Sequence, residues 1–289
     1  MKKPIFRGVC TALVTPFRDD VIHWDTLDRI VDFQLKNGVT ALVLAGTTGE
    51  SPTLTDTEKY ELVCHVKELV GNDCTILAGS GTNSTDHSVE LSLNAQAAGA
   101  DALLVVSPYY NKGNQDGQYH HYKAIANSVK IPVILYNVPS RTGVDISVNV
   151  YKQLAEIANV VGVKEASTDI TKISRIRNQC SKDFHFWSGN DDQIVPVISL
   201  GGQGVISVLS NILPKETKAL CEAALDGDFD TASDLQCHYY PLIETLFSEV
   251  NPIPVKAAMK EIGYDCGGCR LPLCNISNDT LSKIRDILQ

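Results

Sequence analysis

Two stretches decide the fold: PVILYN at 132–137 and NVVGVKEAS at 159–167. Each is a short run of β-branched and apolar residues that ends in polar ones, and a helix-like segment at 147–158 separates them. Strands apolar on both faces, alternating with helices, form parallel sheets covered by helices. Period-two alternation puts Ile134 and Tyr136 on one face and Val133 and Leu135 on the other. The same count pairs Gly162 with Lys164, opposite Val161 and Val163. With the apolar pairs turned to the helices, Tyr136 and Lys164 point inward from adjacent strands. Burying an ammonium costs several kcal/mol unless it is paired or loses its proton. A desolvated lysine is also the amine that condenses with ketones to give a Schiff base. On Lys164 alone, a lysine whose stem packs and whose head reaches water reads as well.

Working outward, the same alternation occurs eight times. Strands are expected at 8–17, 41–46, 75–80, 102–108, 132–137, 159–165, 184–189 and 203–208. Helices are expected at 25–37, 56–70, 84–98, 115–128, 147–158, 169–179, 191–199 and 214–225, with Thr55 and Asn83 as capping residues. Eight units in about 225 residues match a (β/α)8 barrel, typically roughly 250 residues long. A doubly wound open sheet fits less well, because GSGTNS at 79–84 lacks the third glycine of a dinucleotide turn. After residue 225 the strand pattern stops and helices are expected at 228–249, 253–262 and 277–288. The organisation predicted is a barrel catalytic domain, 1–225, followed by a C-terminal helical region, 226–289.

Composition narrows the classes. The 289 residues are 44% hydrophobic and 20% charged, enough for a sizeable core and unlike a disordered chain. Net charge is −9, without a lysine or arginine stripe, which argues against nucleic acid as a partner. The opening MKKPIFRGVCTALVTPF is broken by Arg7, Gly8 and Pro16 and reads as a first strand instead of a signal peptide. No stretch has the length of a membrane span. The nine cysteines are an odd, scattered set, so reduced thiols in the cytoplasm are expected. Cys266 and Cys269 form a CxxC with Cys274 close behind, but a fourth zinc ligand is not evident. The seven histidines do not sit at strand ends beside carboxylates, so no metal is expected.

In a (β/α)8 barrel the active site lies at the carboxyl ends of the strands. There GTTGES (46–51) can offer N–H groups and the Thr47 and Thr48 hydroxyls to a carboxylate, although a threonine-capped turn reads equally. Tyr136, beside an imine-forming lysine, could relay protons; a core tyrosine bonded at the rim is the alternative. Arg141, on the loop after Tyr136, could hold a carboxylate bidentately or bridge loop backbones.

With these tracts, SPYYNK (107–112), YNVPSRTG (136–143), GGQGVISV (201–208) and NPIPVK (251–256), the chain resembles the dihydrodipicolinate synthase family of pyruvate-dependent class I aldolases. The resemblance runs in register from about residue 5 to the C-terminus. It implies that Lys164 forms a Schiff base with pyruvate and that Tyr136 is the acid/base group, linked through Thr47 to Tyr110. Tyr110 would cross a subunit interface, which implies a homo-oligomer, expected as a tetramer built as a dimer of dimers. Thr47 and Thr48 would hold the pyruvate carboxylate, and Arg141 that of aspartate semialdehyde. Gly189 and Ile206 would present backbone carbonyls. No cofactor is called for, because the protonated imine is itself the electron sink. A sister aldolase acting on a sugar acid is the nearest rival, and Arg141 argues against it. A non-catalytic relative is the rival from another class, and it would be expected to have lost Lys164 or Tyr136.

Overall fold

Residues 3–289 are described in a computed structural model of the chain. Eight parallel strands close into a barrel: β1 (Gly8–Ala12), β2 (Ala41–Leu44), β3 (Thr75–Gly79), β4 (Ala102–Val106), β5 (Val133–Asn137), β6 (Val160–Glu165), β7 (His185–Ser188) and β8 (Gly204–Ser207). The barrel closes where β1 pairs with β8 on one side and β2 on the other. Helices α1 (Trp24–Lys36), α2 (Asp56–Val70), α3 (Thr85–Ala97), α4 (Gln115–Ser128), α5 (Val148–Leu154), α6 (Ile170–Gln179), α7 (Ile194–Ser199) and α8 (Pro214–Asp226) come after the strands in turn. Three more, α9 (Phe229–Leu246), α10 (Ile253–Glu261) and α11 (Asn278–Leu288), form the C-terminal helical region.

All eight strands fall where the sequence puts them, most of them one or two residues shorter, and one boundary moves further. The first ends at Ala12, and Phe17–Arg18 instead pairs antiparallel with Val21–Ile22 in a two-residue ribbon. The Leu13 N–H still reaches the Val43 carbonyl, but beyond it the ladder loses its partners: the Val14 N–H goes to the Asn211 side chain and Pro16 has none to give. Thr55 caps α2 in a reciprocal capping box with Glu58, as expected. Asn83 does not cap α3. Ser84 does, its hydroxyl accepting from the His87 N–H.

The core has two layers. Val133, Leu135, Val163, Phe186 and Val205 face the helices, while Ile134, Tyr136, Trp187 and Ile206 fill the barrel. The expected facing of β6 needs one correction, because Val161 joins the interior layer. Val133 pairs with Val160, but Ile134 pairs with Gly162, so Val161 is the extra residue of a β-bulge. A bulge shifts the alternation by one position and re-aims the residues beyond it. Past it, Lys164 pairs with Tyr136 on one side and Trp187 on the other. Gly162 is required here, since a Cβ would lie 2.1 Å from the His185 carbonyl oxygen.

Candidate active site

Lys164 sits near the carboxyl end of β6, only 5% exposed, with Nζ over the Tyr136 ring, 4.4 Å from its centre. Gly189, just past β7, leaves room for it: a Cβ there would come 3.1 Å from the Lys164 Cε and 2.6 Å from the Ala166 Cβ. The strand end is braced by a polar network. Glu165, buried beside Lys164, accepts from Asn137 Nδ2 at 2.7 Å, the Ser167 N–H at 2.9 Å and the Tyr151 hydroxyl at 2.9 Å. Buried Lys172 pairs with Asp145 and lies 3.5 Å from Glu165. Burial, reinforced by the nearby Glu165 charge, pushes the Tyr151 hydroxyl well above the usual phenol range, so it serves Glu165 as a donor. This network ties the ends of β5 and β6 together and so fixes the Lys164–Tyr136 pair.

Asp191 is a buried acid whose carboxyl feels the Lys164 charge. Burial raises it above the ordinary carboxylate range. The Ser207 hydroxyl, the Leu209 and Val208 N–H groups and the Lys164 charge pull the other way without cancelling that rise. Asp191 Oδ2 accepts from both of those N–H groups at 2.9 Å, which holds the β8 loop against the end of β7.

A cavity of about 260 Å³ opens beside Tyr136, and Lys164 is not itself among the residues that line it. Its wall includes Tyr136, Thr47, Arg141, Tyr109 and Lys59, so it brings hydroxyls and two cations together without an acidic side chain. Thr48 is buried and is not among the residues lining this cavity; its hydroxyl accepts from Asn251 Nδ2 at 3.0 Å. Arg141 is exposed and donates one N–H to the Asn251 carbonyl at 3.1 Å, which leaves its other donors for a ligand. Ile206 is fully buried in the barrel interior beside Trp187.

The fold therefore gathers Lys164, Tyr136, Thr47, Arg141 and Gly189 at one barrel mouth. It does not bring in Tyr110. That side chain is 88% exposed, and its backbone is held at φ +71°, a left-handed conformation rarely adopted by non-glycine residues. Sequence reasoning misses Asn251, Glu165, Asn137 and Asp191. Asn251, Asn137 and Glu165 lie inside quoted tracts, and for Asn137 and Glu165 the available signal is a polar residue closing a strand. Cys266, Cys269 and Cys274 are free thiols, and among the described residues no three His, Cys, Asp or Glu side chains are grouped to hold a metal ion. Among those same residues no helix is long and apolar enough to cross a membrane.

Known proteins match this arrangement along its whole length. The 4-hydroxy-tetrahydrodipicolinate synthase of Acetivibrio thermocellus is 45% identical, with 100% of this chain and 98% of that protein covered. That of Caldicellulosiruptor saccharolyticus is 47% identical, covering 99% and 96%. The solved dihydrodipicolinate synthase of Thermotoga maritima superposes with a TM-score of 0.97 at 42% identity, covering 99% and 98%. A solved monomeric dihydrodipicolinate synthase variant superposes at 0.96 and 42%, covering 98% and 96%. A sequence model described as the Dihydrodipicolinate synthetase family matches residues 5–289, and the chain belongs to that family.

Proposed function

We propose that this chain condenses pyruvate with L-aspartate 4-semialdehyde to give 4-hydroxy-tetrahydrodipicolinate, a lyase-type step of lysine and diaminopimelate biosynthesis. The observation that carries the reading is a barrel-buried lysine lying over the Tyr136 ring beside a cavity that holds cations and hydroxyls but no acid. The Lys164 amine adds to the pyruvate ketone, and loss of water leaves a protonated imine. Removal of a methyl proton gives an enamine, whose carbon attacks the aldehyde of the second substrate while the aldehyde oxygen takes up a proton. The product's own amine then displaces Lys164 and closes the ring. Each stage moves a proton at the face of Lys164, and Tyr136 is the hydroxyl in place to carry it. Thr47 and Thr48 bind the pyruvate carboxylate, and Gly189 and Ile206 contribute main-chain carbonyls nearby. Arg141 binds the carboxylate of the semialdehyde at the mouth.

A coupled assay with both substrates tests the activity, and Arg141→Ala tests the division of labour. Losing a charge-assisted contact should raise the KM for the semialdehyde about 10- to 150-fold while that for pyruvate changes little. Equal effects on the two would make Arg141 a brace for the loop alone.

We also propose that the chain works as a homo-oligomer, a dimer of dimers, in the cytoplasm, with Tyr110 completing the partner's site. Its exposure supports this, since a tyrosine that projects fully from its own subunit suits insertion into another. The monomeric relative means that assembly has to be measured for this chain. Mixing inactive Tyr110→Phe with inactive Lys164→Ala subunits should restore part of the activity, because some mixed dimers then hold one intact site. No recovery despite demonstrated subunit exchange would place Tyr110 outside the neighbour's site. The division at residue 225 is proposed as one of architecture only, since Asn251, Lys256 and Arg270 from the helical region bond to Thr48, Glu50 and Thr53 of the loop after β2.

A further inference from the structure

The tract NPIPVK lies in the C-terminal region, yet it grips the TTGE loop at two points. Asn251 donates to Thr48, and Lys256, five residues on, pairs with Glu50 at 2.7 Å. The Asn251 main-chain carbonyl also accepts from Arg141 Nη2 at 3.1 Å. One residue thus touches two of the three side chains assigned to substrate carboxylates, and neither it nor Thr48 lines the cavity itself. We propose that Asn251 is a positioning residue that aims the Thr48 hydroxyl hydrogen at the pyruvate carboxylate and, through its carbonyl, steadies Arg141. The proposal rests on the reading of Thr48 and Arg141 given above.

Hydrogen-bond polarity sets the direction of the effect. A threonine hydroxyl has one hydrogen to donate and two lone pairs to accept with. Because the Asn251 amide N–H already supplies Thr48 with a donor, the hydroxyl hydrogen is left for an acceptor on its other side, which a carboxylate oxygen provides. With the amide reversed, that hydrogen would be used on Asn251 and lost to the substrate. The observed orientation leaves Asn251 Oδ1 enclosed without a protein donor, although the residue is only 5% exposed. Buried polar atoms are almost always paired, so a residue kept for packing alone would not be expected to carry this one. The neighbouring Glu50–Lys256 pair keeps the loop from drifting out of register with Asn251.

Polarity and shape make opposite predictions for two substitutions, read by borohydride trapping of the pyruvate adduct at graded pyruvate concentrations, with intact mass as the readout. Asn251→Asp keeps the shape but presents only acceptors, so it draws the Thr48 hydrogen to itself and sets a negative charge near the carboxylate. It should raise the half-trapping concentration about ten-fold or more. Asn251→Ala, which leaves the hydroxyl free to turn, should raise it only a few-fold. The alanine variant keeps the main-chain carbonyl, so its KM for the semialdehyde should stay near the wild-type value. If Asn251→Asp does not fold, a cycle with Thr48→Val decides: on that background Asn251→Ala should have no further effect on pyruvate. An alanine variant worse than the aspartate, equal shifts for both substrates, or additive effects in the cycle would overturn the proposal. Absence of any adduct on wild-type Lys164 would instead remove the underlying reading of the site.

Discussion

Tyr136→Phe is expected to fold like the wild type and to turn over roughly 10²- to 10⁴-fold more slowly, the range for loss of a positioned acid/base group. The substitution deletes one oxygen from a side chain whose ring packs with Trp187 and Ile206 inside the barrel, and phenylalanine preserves that packing. The face beneath the Lys164 ammonium is kept as well, so nucleophile and wall stay in place. What disappears is the hydroxyl of the ring that lies beside Lys164, the group assigned to hand protons to and from the carbinolamine, imine and enamine. Adduct formation with pyruvate should therefore slow together with overall turnover, while the thermal midpoint stays close to that of the wild type. Turnover within a few-fold of normal would take Tyr136 out of the mechanism.

Lys256→Ala is expected to destabilise the fold by about 3–5 kcal/mol, the usual result of stranding one member of a buried ion pair. Lys256 and Glu50 have side chains only 2% and 1% exposed. The ammonium also donates to the Gly268 carbonyl at 2.8 Å and lies 4.5 Å from the centre of the Phe17 ring. Without it Glu50 keeps the Arg270 N–H, at 2.9 Å, and the hydrogen bond of the Cys269 thiol, neither of which carries a charge. That contact is one part of a larger clamp. Arg270 stacks 4.3 Å from the Phe17 centre and grips Glu58, whose carboxyl it holds below the ordinary range, against a smaller opposing effect of burial. Urea unfolding at a fixed protein concentration reads the loss, and Glu50→Gln on top of Lys256→Met should recover part of it by removing both charges. A loss below about 1 kcal/mol for Lys256→Ala would mean that the pair is solvated in solution.

Strand positions and the barrel are legible in the sequence because apolar periodicity carries them, and β5 and β6 are the clearest case. The inward pairing of Tyr136 with Lys164 is also legible, but partly for a wrong reason. Strict alternation places Val161 outward, and only the bulge at Val160–Gly162 lets Val161 and Lys164 both turn in. A bulge is set by pairing with a strand about 25 residues away, which no local window contains. Ser84 takes the cap expected of Asn83 because both residue types suit that position and backbone geometry chooses between them. Asn251 is invisible for a different reason. Its partners Thr48 and Arg141 are separated from it by 203 and 110 residues, so its role appears only once the helical region is folded against the barrel. Lys256 reads as structural from its place in that region, and its buried pairing with Glu50 supplies the physical ground.

The mechanism turns on Lys164 being the amine that takes up pyruvate, and intact mass after borohydride reduction in the presence of pyruvate tests it most directly. The wild-type chain should gain a single reduced pyruvyl unit, located on the peptide that carries Lys164, and Lys164→Ala should gain none. Undiminished labelling of the Lys164→Ala chain, or an adduct mapped to Lys256, would contradict the assignment.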